Sequence, residues 1–337
     1  MQNRPVDWSR RLAPYRKASV ARALTELVIT AAPLAMLWGL AWLALERGLW
    51  WVALLLAVPA AGFLVRLFMI QHDCGHGSFL PSKTANDWLG RILGIFTLTP
   101  YDYWRLSHAN HHATSGNLDR RELGAIELLT IEEYEALPPL RRLGYRLYRN
   151  PLVMFGLGPA FVFFIQQRIP VGLMRAGWRP WASTLGTTAA MVVVFGGLVW
   201  LVGNAPILLI HALTMLIASS IGVWLFYVQH QFEGVAWYRR DTWRAQEGAL
   251  HGSSHYDLPP FFRWMTANIG IHHVHHLSSR IPFYRLGQVM RDFPELAGVS
   301  KLKFVESLKC ARLALWDEPN QRMVSFREAR RLKVCST

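Results

Sequence analysis

The chain has 337 residues, 52% hydrophobic and only 17% charged, whereas soluble domains carry about a quarter charged residues, so the balance argues against a soluble protein. Thirty-six Lys and Arg against 22 Asp and Glu leave a formal charge of +14, which suits anionic lipid or an acidic protein partner. No zinc-finger, RNA-recognition or helix-turn-helix signature accompanies that charge, so nucleic acid is set aside, and Cys74, Cys310 and Cys335 are too few and too scattered for a disulfide framework and read as reduced, cytoplasm-facing thiols.

The N-terminal stretch Met1 to Lys17 is polar and basic, lacks the apolar core of a signal peptide, and is expected to stay uncleaved. Two apolar segments follow, Ala21 to Leu45 and Leu49 to Ile70, separated only by Glu46, Arg47 and Gly48. Next come the cluster His72-Asp-Cys-Gly-His76, a short apolar piece Trp88 to Leu98 read as interfacial, and the cluster His108-Ala-Asn-His111-His112. Arg141 to Arg149 is basic and amphipathic and is read as a solvated helix near lipid headgroups. The run Leu152 to Gln166 is short, contains Gly156, Gly158 and Pro159, and lies between Arg149 and Arg168. It is read as interfacial or re-entrant, because a full crossing would put the later histidines on the far side. Ser183 to Val202 and Pro206 to Val228 form a second long pair around Gly203, Asn204 and Ala205, and His230 and His272-His-Val-His275-His276 follow.

About twenty helical residues cover the roughly 30 Å hydrocarbon core, so each of the four long segments suffices to span. Both short turns are poor in charge and the remaining segments rich in arginine, which puts both termini and the middle segment in the cytoplasm. The fold class expected is an all-α integral membrane protein with four transmembrane helices. One domain, 1–337, comprises spans near 21–45, 49–70, 183–202 and 206–228 and a cytoplasmic helical cap over 71–182 and 229–337.

Steps of three and four residues bring the histidines of each cluster onto one face of a helix, as convergent metal ligation requires. With His230 the candidate ligands are His72, His76, His108, His111, His112, His230, His272, His275 and His276. One ion rarely takes more than about six ligands, so nine imply two ions. Imidazole suits zinc, copper, iron and nickel, while structural zinc prefers four ligands, often thiolates, and no thiolate pair is present. A histidine-rich pair of ions beside lipid points to iron and oxygen chemistry.

Asp73 is the best candidate to orient an imidazole N–H, with Asn110 and His255 as further candidates. Asp102 is a weaker one, and Asp119 reads as a surface salt link. His273 is turned away from the ligand face, and His251 reads as surface. His211 is taken as the one ionisable group within the spans, neutral and hydrogen-bonded. Phe79, Tyr101, Tyr103, Trp104, Tyr227 and Trp264 lie near the clusters and are candidates for the wall of a substrate tunnel, although for each one alone packing or an interfacial belt is the better reading.

These motifs resemble the membrane fatty acid desaturases, whose three histidine boxes read H-x3/4-H, H-x2/3-H-H and H-x2-H-H. The likeness extends to His-His-Ala-Thr-Ser-Gly-Asn-Leu-Asp-Arg-Arg (111–121), Tyr-Arg-Leu-Tyr-Arg-Asn-Pro (145–151), Val-Gln-His-Gln-Phe-Glu (228–233) and His-His-Leu-Ser-Ser-Arg-Ile-Pro (275–282). It covers residues 65 to 290 or so and is nearest to the bacterial acyl-lipid delta-5 and omega-6 (delta-12) enzymes. The resemblance implies two Fe ions held by the nine histidines, O2 as co-substrate, and removal of two hydrogens from a lipid-linked fatty acyl chain. It places the enzyme in the bacterial cytoplasmic (inner) membrane with the active site on the cytoplasmic side. His272 stands where front-end desaturases carry Gln, and no fused cytochrome domain is visible, so a separate electron donor such as ferredoxin is expected. A hydroxylase, oxidative decarboxylase or carotenoid-modifying oxygenase on the same scaffold is the enzymatic alternative. A metal transporter is disfavoured because the clusters lie outside the apolar runs.

Overall fold

A computed structural model of the chain describes residues 6–121, 124–202 and 206–336. Helices α1 (Val20–Glu46) and α2 (Trp50–His76) form an antiparallel pair, 27 residues each. At 1.5 Å per residue each rises about 40 Å, more than the hydrocarbon core needs. The apolar part of α2 ends at Ile70, yet the helix runs on through His76, carrying the first cluster out of the apolar zone. Gly77 stops it there: its φ of +65° is a left-handed conformation that glycine adopts without cost, and Ser78 N–H closes onto the Asp73 carbonyl at 3.0 Å.

Helix α3 (Lys83–Phe96) starts where Ser82 Oγ accepts the Ala85 N–H, and α4 (Tyr101–Thr114) follows after Pro100. The two pack closely because Gly90 has no side chain; a Cβ there would stand 2.2 Å from the Tyr101 ring. Tyr101 is therefore fully buried, and its hydroxyl donates to the Cys74 carbonyl at 2.8 Å, tying α4 to the end of α2.

Helix α5 (Pro139–Tyr148) is followed by a sharp bend of 62° and a chain of short turns over Val153–Arg168, including α6 (Gly158–Phe164). These turns correspond to the run expected to be interfacial or re-entrant. Its outward side chains Leu152, Leu157, Phe161 and Ile165 are exposed, while Phe155 packs edge-on against Trp224 and Tyr227. Arg149, expected on a solvated face, is instead buried. It donates to the carbonyls of Glu127 and Leu313, to Tyr227 Oη and to Gln231 Oε1 at 2.7 to 3.1 Å, so both terminal nitrogens have protein partners.

The second long pair is α7 (Trp178–Val202) and α8 (Pro206–His230), and α8 like α2 outruns its apolar stretch to carry a histidine, His230, at its end. The turn Gly203 to Ala205 lies outside the described residues. Two short helices, α9 (Pro260–Met265) and α10 (His272–Leu277), complete the frame around the histidines. Small sheets brace the polar part. Strand β1 (Leu129–Thr130) runs parallel to β4 (Leu315–Asp317), which pairs antiparallel with β5 (Arg322–Val324), and β2 (His255–Asp257) runs parallel to β3 (Lys301–Lys303). Among the described residues four helices are long and apolar enough to span a membrane, and the protein is a mostly helical membrane protein with small sheets.

The spans hold more charge than expected. Besides His211, Glu26 in α1 and Arg66 in α2 are both only 2% exposed, and they form a direct ion pair. Arg66 also donates to Thr30 Oγ1 and the Trp264 carbonyl and lies over the Trp264 ring, so the pair joins α1, α2 and α9. Paired in this way, neither charge faces lipid alone. His211 departs from expectation in another sense: both ring nitrogens lack a hydrogen-bond partner, and the ring stands against Trp38 and Phe195.

Candidate metal centre

Four helix segments bring the nine candidate histidines to one place. His72 and His76 come from the end of α2, His108, His111 and His112 from α4, His230 from the end of α8, and His272, His275 and His276 from α10. They form two groups, each with ring nitrogens within 4.8 Å of one another: His72, His76, His108, His112 and His275 in one, and His111, His230, His272 and His276 in the other.

The division follows from helix geometry. Residues four apart differ by about 40° around a helix, and adjacent residues by about 100°. Each four-residue pair (His72 and His76, His108 and His112, His272 and His276) stays together in one group, while His111 and His275 cross to the other. An adjacent His-His pair therefore serves both groups, and His112 and His276 stack ring on ring at 4.1 Å across the boundary.

The approach of the nitrogens fits a cation better than hydrogen bonding. His108 Nε2 lies 3.0 Å from His72 Nε2 and 3.1 Å from both His76 and His112 Nε2. One nitrogen can share one proton, so three such contacts leave lone pairs converging without a donor. Two imidazole nitrogens each roughly 2.1 Å from an ion and at right angles stand about 3.0 Å apart, whereas tetrahedral ligands stand farther apart. The second group has the same spacing, with His230 Nε2 3.0 Å from both His111 and His272 Nε2 and His276 3.1 Å from His272. Burial, reinforced by neighbouring imidazoles, holds His108, His111, His112, His272, His275 and His276 well below the ordinary imidazole pKa, so these rings present neutral lone pairs.

The surrounding shell is partly as expected. Asp73 Oδ1 lies 3.3 Å from His72 Nδ1, and its other oxygen accepts the Phe283 N–H at 2.7 Å, linking the first cluster to the segment after the third. His230 Nδ1 lies 3.1 Å from the Gly252 carbonyl; donation there leaves Nε2 free for a metal. No sequence pattern marks Gly252. Asn110 sits half-buried on α4, with its carbonyl accepting the Thr114 hydroxyl. His255 turns its ring to other partners: its Nδ1 bonds the Ala297 carbonyl at 2.8 Å and its ring lies beside His273. His273 faces away from both groups, toward the Leu296 carbonyl, and His251 is exposed beside Glu247. Asp102 pairs with Arg91, and Asp119 forms its salt link with Arg239 rather than with its chain neighbours.

An apolar cavity of about 490 Å³ runs between α2, α4, α6 and α8 and ends on the histidines. Leu64, Phe68, Met215, Ala218 and Phe226 line it, and it touches His72 and His108 of one group and His272 of the other. Of the six aromatic residues singled out, only Tyr103 and Trp104 reach it; Trp104 stacks on His108 at 4.6 Å. Phe79, Tyr101 and Tyr227 are instead sealed in the core, and Trp264 covers Arg66. Gly75, inside the first cluster, is where Trp104 packs: a Cβ there would stand 2.8 Å from its ring.

Comparison with known proteins agrees with this geometry. The sequence profile of the family described as Fatty acid desaturase matches residues 48–307. The chain is 41% identical over 326 residues to a fatty acid desaturase of Bacillus subtilis (strain 168), covering 97% of this chain and 92% of that one. It is 32% identical over 249 residues to an sn-1 acyl-lipid omega-3 desaturase (ferredoxin) of Synechocystis, covering 69% of this chain and 64% of that one. It is also 26% identical over 251 residues to an sn-1 oleoyl-lipid 12-desaturase of Arthrospira platensis, covering 74% and 70%. With the profile spanning most of the chain and a relative matched almost end to end, the protein belongs to the fatty acid desaturase family.

Proposed function

We propose that the protein introduces a double bond into a lipid-linked fatty acyl chain, using O2 and a pair of irons held by the nine histidines. One observation carries this reading: the apolar cavity touches ligands of both histidine groups. An extended hydrocarbon threaded along α8 would thus pass both groups. Two bound irons would supply the oxidant, derived from O2, that takes hydrogen from an unactivated carbon. The chain's own contribution is to orient and to exclude water. The stripe Met215, Ala218, Gly222 and Phe226 on α8 faces Leu64 and Phe68 on α2 across the cavity, and Trp104 fixes the His108 ring from one side.

The electrons would come from a separate carrier of the ferredoxin kind, which the name of the Synechocystis relative specifies for that enzyme. The arginine distribution and the meeting of all nine rings at one end of the spans support an active site on the cytoplasmic side of a bacterial inner membrane. A cysteine replacing exposed Arg47, in the turn between α1 and α2, should label from outside intact cells, and one replacing Arg330 only after permeabilisation. The reverse pattern would invert the topology.

Fatty acid profiling of a host expressing the chain, with double-bond localisation, tests the activity directly. The expected product lacks two hydrogens, whereas a product that has gained one oxygen would make the protein a hydroxylase. Ala218→Phe, which projects a ring into the cavity, should lower turnover on the native acyl chain on the order of tenfold to a hundredfold while iron stays bound. Unchanged turnover would remove the cavity as the acyl site.

A further inference from the structure

A second, much smaller cavity of about 20 Å³ lies beside the His111 group, separated from the acyl cavity by Phe226 and Ala125, which wall both. Ser115, Thr114, Arg120 and Gln231 are among the residues that line it. Ser115 and Trp237 are 8% and 6% exposed, and Ser115 Oγ and Trp237 Nε1 are both buried without a hydrogen-bond partner. Exposed Arg120 and buried His111 and His230 line it too.

Two residues that line one small cavity each carry an unpartnered buried polar atom, and together they mark a place for a guest that accepts hydrogen bonds. An indole N–H only donates, and a buried donor left unmade is costly. Water requires roughly 10–15 Å³ and two to four polar partners, so one molecule fits. Its lone pairs would accept the Trp237 and Ser115 donors, leaving both hydrogens for an onward chain.

The chemistry proposed above requires such traffic. As two C–H bonds are replaced by a carbon–carbon π bond, O2 becomes two waters, drawing two electrons from the carrier and two protons from solvent. The acyl cavity, filled by hydrocarbon, cannot conduct protons or release water. We propose that the crevice between Ser115, Trp237 and Arg120 holds an ordered water and is the path by which protons reach, and water leaves, the His111 group. This rests on the desaturase reading for its role, though not for the water itself.

Two measurements test it. A density map of the metal-loaded protein, at a resolution that resolves solvent, should contain a water within about 3.2 Å of Trp237 Nε1; a dry crevice overturns the proposal. The double variant Ser115→Ala/Trp237→Phe should retain its iron yet turn over on the order of a hundredfold more slowly, with a larger solvent isotope effect in D2O. Wild-type rate and isotope effect, or iron lost in step with activity, would overturn the role. If the unmodified protein makes no double bond, the desaturase reading itself fails, and the density map still decides whether the water is there.

Discussion

Replacing His111 by alanine is expected to abolish turnover and to lower bound iron. His111 is one of four nitrogens in its group, its Nε2 stands 3.0 Å from that of His230, and the site is buried, so no outside ligand would replace it readily. Even a lost partner to a ligand typically costs tenfold to a hundredfold in metal affinity, and a lost ligand costs more. His251→Ala, at an exposed ring paired only with Glu247, serves as the control and should behave as wild type. Iron per chain measured by atomic absorption, together with lipid profiling, distinguishes the outcomes. Full turnover and full iron in the His111 variant would show that the second group is not a metal site.

Glu26→Ala should be the most destabilising change within the spans, by about 3 kcal/mol. It strips the counter-charge from Arg66, which is 2% exposed and cannot reach solvent. Arg66 would keep Thr30 Oγ1 and the Trp264 carbonyl, neither of which carries a charge. Because removing both partners of a buried pair is often close to neutral, Glu26→Leu/Arg66→Met should recover part of the loss. Thermal unfolding in detergent measures both. A single variant as stable as wild type would mean that the pair contributes nothing to holding α9 against α1 and α2.

Much of the site is written in local spacing. The four long apolar segments and the three histidine clusters follow from hydropathy and helix period, and the allocation of rings to two groups follows from the same period. The 100° between His111 and His112 sends them to different groups, and the 40° between His108 and His112 keeps those together. Distant contacts leave no such periodic trace. The partnership of Glu26 with Arg66 links residues forty apart, and it gives the buried guanidinium its counter-charge, whereas the second partner of Glu26, Arg22, lies one helical turn away. Arg149 looks like any residue of a basic helix until the Glu127 and Leu313 carbonyls and Gln231 converge on it. The aromatic residues follow the same rule: proximity to a cluster in sequence does not tell whether a ring faces the cavity, as Trp104 does, or the core, as Tyr101 does. His255 is close to the third cluster in sequence, yet the pairing of β2 with β3 accompanies a ring that bonds the Ala297 carbonyl.

Because α4 supplies His108 and His112 to one group and His111 to the other, a single rigid rod sets the position of both. A change in the seating of that rod would displace ligand histidines of both groups at once, with His112 stacked on His276 across the boundary between them. Neither half of the centre can be tuned alone; its two seats are adjusted together or not at all.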